Sequence, residues 1–146
     1  AGGECEYLRF GFHQLLRNKS VDIIQPDICA CGGLTEAKRI ASLASTYGVD
    51  VVPHTWGSSI GLHVALHFIS NLESVPGRMF SPDFLLEFDQ TENALREQLT
   101  FPILEMKNGK IKVPDVPGLG LEVNQDALHK FTNPTNGVAN IKELLK

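Results

Sequence analysis

The sequence is poor in the residues that would place it in several large classes. It has 3 cysteines among 146 residues, an odd count too small for a disulfide framework and suited to free thiols in a reducing compartment. Basic residues are outnumbered, 13 against 17 acidic ones, for a net charge of -4. No basic stripe is therefore available to neutralise nucleic-acid phosphates. No apolar run approaches the roughly 20 residues a membrane-spanning helix needs, and no charged-then-apolar leader opens the chain. Internal repeats and low-complexity tracts are missing too. These absences argue against nucleic-acid and membrane partners and leave the expectation of a cytoplasmic globular domain with a core of ordinary size.

What is present is a rhythm. Val21–Pro26 is a short β-branched run closed by a proline, which predicts a buried strand. Thr35 is the expected N-cap of the helix that follows, where Leu34, Ala37, Ile40, Ala41, Ala44 and Tyr47 recur at helical spacing before Gly48 stops it. Val49–Pro53 predicts a second strand, Ser58 or Ser59 caps a helix running to Leu72, and Phe84–Phe88 predicts a third strand. Ala1–Glu4 reads as the tail of an earlier strand with Tyr7–Arg17 as its helix, as though the chain were cut rather than begun. Alternation of this kind means a parallel sheet with helical crossovers. Beyond residue 100 the texture changes: Phe101–Val113 predicts a hairpin around Asn108-Gly109, Pro114–Gly120 a rigid loop, and Asn140–Lys146 a closing helix. The expected division is residues 1–100 as barrel and 101–146 as a tail packing on the barrel or on a capping domain.

Four ionisable residues fall at the carboxyl ends of these strands: Glu4, Asp27, His54 and Glu87, separated by 23, 27 and 33 residues. A (β/α)8 barrel averages about 31 residues per βα unit and builds its active site from the C-terminal strand ends. Singly, each has a bland reading. An acid after a strand is most often a cap or a solvated turn residue, and a histidine there is most often structural. Glu87 resists that reading because it interrupts the apolar run Phe84-Leu85-Leu86-Glu87-Phe88. Four such residues in register point to one shared mouth. Two further groups carry less. Cys29-Ala30-Cys31 has no second cluster and reads as thiols rather than a zinc site. His63 and His67 have helical metal-pair spacing but lack a following acid, so the edge of a helix–sheet contact is the better reading.

Taken together, Ala1-Gly2-Gly3-Glu4, Gln25-Pro26-Asp27, Gly32-Gly33-Leu34-Thr35-Glu36, Pro53-His54 and Leu86-Glu87-Phe88-Asp89 resemble the enolase superfamily, mandelate racemase subgroup. Pro114–Gly120 resembles that family's return into its capping domain. The resemblance implies an α/β fold, the C-terminal half of a TIM-type (β/α) barrel. It also implies roles: Glu4 as the third carboxylate ligand of Mg²⁺, His54 as the catalytic histidine, Asp27 as the acid bonded to it, and Glu87 as the acid on the last strand facing the substrate carboxylate. The first two metal carboxylates and a lysine motif would lie upstream of these residues. The chemistry is coherent, because a proton α to a carboxylate is very weakly acidic and its enediolate needs a cation and a hydrogen-bond donor. A protonated Glu87 could donate that bond, and Asp27 would fix the tautomer of His54.

The expected reaction is Mg²⁺-dependent α-proton abstraction from a small-molecule carboxylate, dehydration of an aldonate or aldarate first, with a sugar-lactone cycloisomerase next and a racemase third. A homo-oligomer is expected at full length. From another class, a non-catalytic half-barrel binding module stays open.

Overall fold

The computed structural model describes residues 1–72 and 84–132. Residues 1–72 follow the expected alternation: α1 (Leu8–Arg17), β1 (Ile23–Ile24), α2 (Gly33–Thr46), β2 (Asp50–Val51) and α3 (Ser59–Ile69). β1 and β2 pair in parallel, Ile23 with Asp50 and Ile24 with Val51, while Gly2 bridges Ile24 in parallel from the other side. Three chain segments thus lie side by side in the order residues 1–4, β1, β2. This is a mixed α/β arrangement built from parallel βα units.

The strands are shorter than the apolar runs, and proline explains it. The carbonyls of Ile24 and Pro26 both face β2, accepting from the N–H groups of Val52 and His54 at 3.0 and 3.1 Å. Within a strand, N–H and carbonyl of one residue point the same way, so the donor Pro26 lacks is one that would have continued this ladder. Regular pairing stops at Ile24, and only an isolated bridge between Asp27 and His54 resumes it. Pro53 faces the opposite edge of β2 and removes a donor there. Residues 84–88, expected as a strand, accordingly form no ladder.

Of the apolar face expected for α2, Ala37, Ile40 and Ala44 are buried, while Leu34 and Tyr47 at its two ends are exposed. Phe12 and Leu16 of α1, Ala37, Ile40 and Ala44 of α2, and Leu66 and Ile69 of α3 close over Ile24 in one core. Burying each large side chain stabilises by about 1.5–3 kcal/mol relative to exposure. α1 and α2 are also clamped by charge. Arg9 grips Glu36 through Nε–Oε1 at 2.7 Å, Nη2–Oε2 at 2.8 Å and its backbone N–H at 3.0 Å, and Arg39 adds a bond at 3.1 Å. Glu36 is buried, and these donors hold its carboxyl down to about 2. The N-cap of α2 is Gly32, with φ 113°, not Thr35, which lies inside the first turn of the helix. α3 begins after Ser58 as expected but ends at Ile69, short of Leu72.

The second stretch carries α4 (Ala94–Gln98), β3 (Thr100–Phe101), β4 (Met106–Lys107), β5 (Lys110–Ile111), β6 (Glu122–Val123) and α5 (Gln125–Phe131). The Asn108-Gly109 turn forms as expected, both residues with positive φ, but joins only β4 and β5. Phe101 is not part of that hairpin: β3 pairs antiparallel with β6 instead. The tail folds back on α3, where His67 Nε2–H donates to the carbonyl of Leu119 at 3.1 Å. The expected helix Asn140–Lys146 lies outside the described residues. Among the described residues, no helix is long and apolar enough to cross a membrane.

Candidate active site

Asp27 and His54 end β1 and β2 at equivalent points, because the 27-residue offset of the ladder continues through their bridge. The ladder therefore sets one beside the other. His54 Nδ1 lies 3.2 Å from Asp27 Oδ2. A carboxylate can only accept, so Nδ1 carries a ring proton in this contact. Asp27 is itself held, its Oδ1 accepting from the backbone N–H of Cys29 at 2.8 Å and its carbonyl from those of Ala30 and Cys31. A carboxylate anchored this way cannot rotate freely and orients the imidazole.

Glu4 approaches from the third segment. Its Oε2 lies 3.2 Å from His54 Nε2, so one imidazole stands between two carboxylates. The difference in exposure matters: the Glu4 side chain is 59% exposed, His54 only 17%. Glu4 can swing to another partner, whereas His54 cannot. Glu87 reaches the group through the residue after the histidine: the N–H of Thr55 donates to Glu87 Oε2 at 2.9 Å, and Thr55 Oγ1 donates to the carbonyl of Glu87. All four candidates are thus brought to one end of the sheet, Glu87 from irregular chain rather than from a strand. A cavity of about 190 Å³ is lined by Asp27 and His54 together with Cys29, Thr55, Trp56 and Leu62, while Glu4 and Glu87 are not part of its lining. Trp56 is largely exposed. Neither it nor Thr55 was legible as a site residue, because no spacing rule marks a neutral side chain next to a histidine.

The remaining candidates sort differently. The three cysteines are free. Burial first, then the charge of Asp27, pushes the Cys31 thiol up to about 11 and raises Cys29 as well, so neither is a ready nucleophile at neutral pH. His63 is fully buried rather than at a contact edge, and its Nδ1–H donates to the carbonyl of Ser59 at 2.8 Å. His63 and His67 each spend a ring N–H on a backbone carbonyl and do not form a metal pair. His63 borders a second cavity of about 200 Å³ with Asp89, Thr91 and Arg96. There Asp89 accepts from Thr91 and from Arg96 Nη1 at 2.6 Å, which holds its carboxyl at about 2. These bonds fix the turn that follows Glu87.

Among the described residues, no three His, Cys, Asp or Glu side chains gather as a metal site. Mg²⁺ takes six oxygen ligands in octahedral geometry. Glu4 offers one suitable carboxylate, so these residues do not hold such an ion by themselves.

The arrangement has counterparts. A family model described as "Enolase C-terminal domain-like" matches residues 1–127. D-galactarolactone cycloisomerase of Agrobacterium fabrum is 43% identical over 134 residues, covering 92% of this chain and 35% of the relative. Arabinonate dehydratase of Saccharolobus solfataricus is 30% identical over 131 residues, covering 90% and 33%. The crystal structure of the 3,6-anhydro-D-galactonate cycloisomerase from Zobellia galactanivorans superposes with a TM-score of 0.80 at 48% identity, covering 90% of this chain and 35% of that one. The chain spans about a third of the length of these relatives, all of which are enzymes by name.

Proposed function

The chain belongs to the enolase C-terminal domain-like family, and from that premise we propose that its strand-end residues abstract a proton α to the carboxylate of an acid sugar, with His54 as the base. One observation carries the reading: His54 is pinned by Asp27 through Nδ1, which leaves Nε2, paired here with the exposed Glu4, as the ring nitrogen a substrate would meet. Nε2 is then the atom that takes the proton. Asp27 keeps the tautomer and steadies the imidazolium that forms, a role that needs contact and orientation but no proton transfer. Glu87, tied to Thr55 through Oε2, keeps Oε1 for the substrate carboxylate as it gains charge.

Mg²⁺ belongs to the proposal with Glu4 as one ligand, the other ligands coming from outside these residues. When bound, the ion supplies positive charge beside the substrate carboxylate. Drawing Glu4 toward such a ligand set would also clear Nε2 for the substrate. The second domain that residues 101–146 are expected to meet, and a homo-oligomer, are likewise proposals.

The step after proton abstraction depends on the leaving group. In an open aldonate or aldarate the group β to the carboxylate is hydroxyl, and with one proton it departs as water. In a cyclic substrate whose ring oxygen sits at that position, the departing oxygen, a carboxylate from a lactone or an alkoxide from an anhydro ring that takes up one proton, stays in the molecule, so the overall change is an isomerisation. Dehydration is the reading reached from the sequence. Identities of 43% and 48% to two cycloisomerases, against 30% to 38% for three dehydratases, favour the second.

The test uses the active enzyme containing this chain, incubated in deuterium oxide with a panel of acid sugars and their lactones and followed by NMR. His54→Asn keeps the shape but removes the proton acceptor. Turnover is expected to fall by about 10²–10⁴-fold, and deuterium incorporation at the α-carbon with it. Retention of both would remove His54 from the reaction.

A further inference from the structure

Resting on the proton-abstraction reading, we infer that Thr55 is the positioning residue that sets Glu87 relative to His54. In a closed barrel the relation between two neighbouring strand ends is set by their ladder. Here that device is missing: residues 84–88 form no ladder with β2, and Pro53, on the β2 edge facing them, has no N–H to give. Thr55 is the next residue along the same edge, so its N–H is the first donor available after Pro53. It goes not to a backbone carbonyl but to Glu87 Oε2, at 2.9 Å.

The hydroxyl does the complementary task, donating to the backbone carbonyl of Glu87. One residue therefore holds both the main chain and the carboxylate of the acid, and is covalently joined to the base. The other bonds between these two regions, Asn93 Nδ2 to the carbonyl of Gly57 and Ser59 Oγ to that of Leu95, lie further from the site and touch neither ionisable group. Threonine suits this place. A β-branched side chain is restricted at χ1, so its hydroxyl is directed with little loss of freedom. With Oε2 committed to the amide, Oε1 is the oxygen left for a ligand. Thr55 thus decides which carboxylate oxygen works and where it stands.

A double-mutant cycle in the active enzyme containing this chain tests the inference. Thr55→Val preserves shape and removes the hydroxyl, Thr55→Ser restores it, and Glu87→Gln removes the group through which Thr55 is argued to act. Thr55→Val is expected to lower kcat about tenfold, the worth of one hydrogen bond, with KM and melting temperature little changed. Thr55→Ser should return kcat to near the wild-type value. In the Glu87→Gln background, Thr55→Val should cost little more, because a positioning residue without its target has nothing to position. Equal losses in Thr55→Ser and Thr55→Val, an unchanged kcat in Thr55→Val, or losses that multiply in the double variant would each overturn the proposal. If Thr55→Val does not fold, Thr55→Ala replaces it in the same cycle with the same criteria. His54→Asn, run alongside, separates the two readings. Loss of activity there with a silent Thr55→Val sinks this inference alone, whereas retained activity in His54→Asn sinks the proposed function beneath it.

Discussion

His54 Nδ1 sits 3.2 Å from Asp27 Oδ2 because both residues occupy the same position at the ends of adjacent parallel strands. The contact is a property of strand register. A one-residue slip of β2 against β1 would turn His54 to the face opposite Asp27.

Asp27→Asn probes that contact without moving the chain. The side-chain carbonyl can still accept from Cys29, so the turn survives, but the amide no longer selects the tautomer with the proton on Nδ1. We expect kcat to drop on the order of 10²–10⁴-fold with KM and melting temperature nearly unchanged. Steady-state kinetics with thermal denaturation checks this; a wild-type kcat would mean that the pair is structural.

Acid sensitivity should be traceable to Glu36. Its folded-state value of about 2 lies below the ordinary 4.5 because Arg9 bonds the ionised form. A depressed value means that the stabilisation is fully present above pH 4.5 and is lost as pH falls through the interval toward 2. Melting temperature measured across that interval should fall more steeply for wild type than for Glu36→Gln. Parallel curves would show that the clamp contributes nothing.

Gly3→Ala should damage both stability and the site. Gly3 has φ 129°, and a Cβ there would stand 2.7 Å from Phe12 Cε1 and 3.3 Å from the backbone nitrogen of Gln25. Either the ring or the strand must give way, and Glu4 is the next residue. A cost of at least 1–3 kcal/mol is expected. Urea denaturation measures it, and an unchanged midpoint would count against the tight contact.

Glu4→Gln tests the proposed ligand. Replacing a carboxylate by an amide removes the negative charge a hard cation prefers, so Mg²⁺ affinity by calorimetry on the active enzyme should weaken by about tenfold or more. Wild-type affinity would remove Glu4 from the ligand set.

Much of this was legible in the sequence, and the reasons differ by element. The buried middle of α2 follows from apolar residues at helical spacing, and the Asn108-Gly109 turn from two residues that tolerate positive φ. The side-chain caps Asn93 and Asn124, each accepting from two N–H groups at the start of α4 and α5, were equally local but unread. Glu4, Asp27, His54 and Glu87 could be grouped because strand ends recur once per βα unit. Local pattern is a record of which residues face inward and where the chain must turn, and it determined the order of elements and the identity of the ionisable groups.

Tertiary structure alone decided how those groups meet. Missing proline donors shorten the strands, but which carbonyls lose them depends on which edge faces which neighbour. Arg9 finds Glu36 across 27 residues of sequence. Thr55 reaches Glu87 across 32, through a bond pattern that exists only because no ladder joins those segments. β3 takes β6 as its partner rather than the nearer hairpin. In each case a hydrogen-bonding group had several chemically equivalent partners along the chain, and only packing of the core selected the one within about 3 Å.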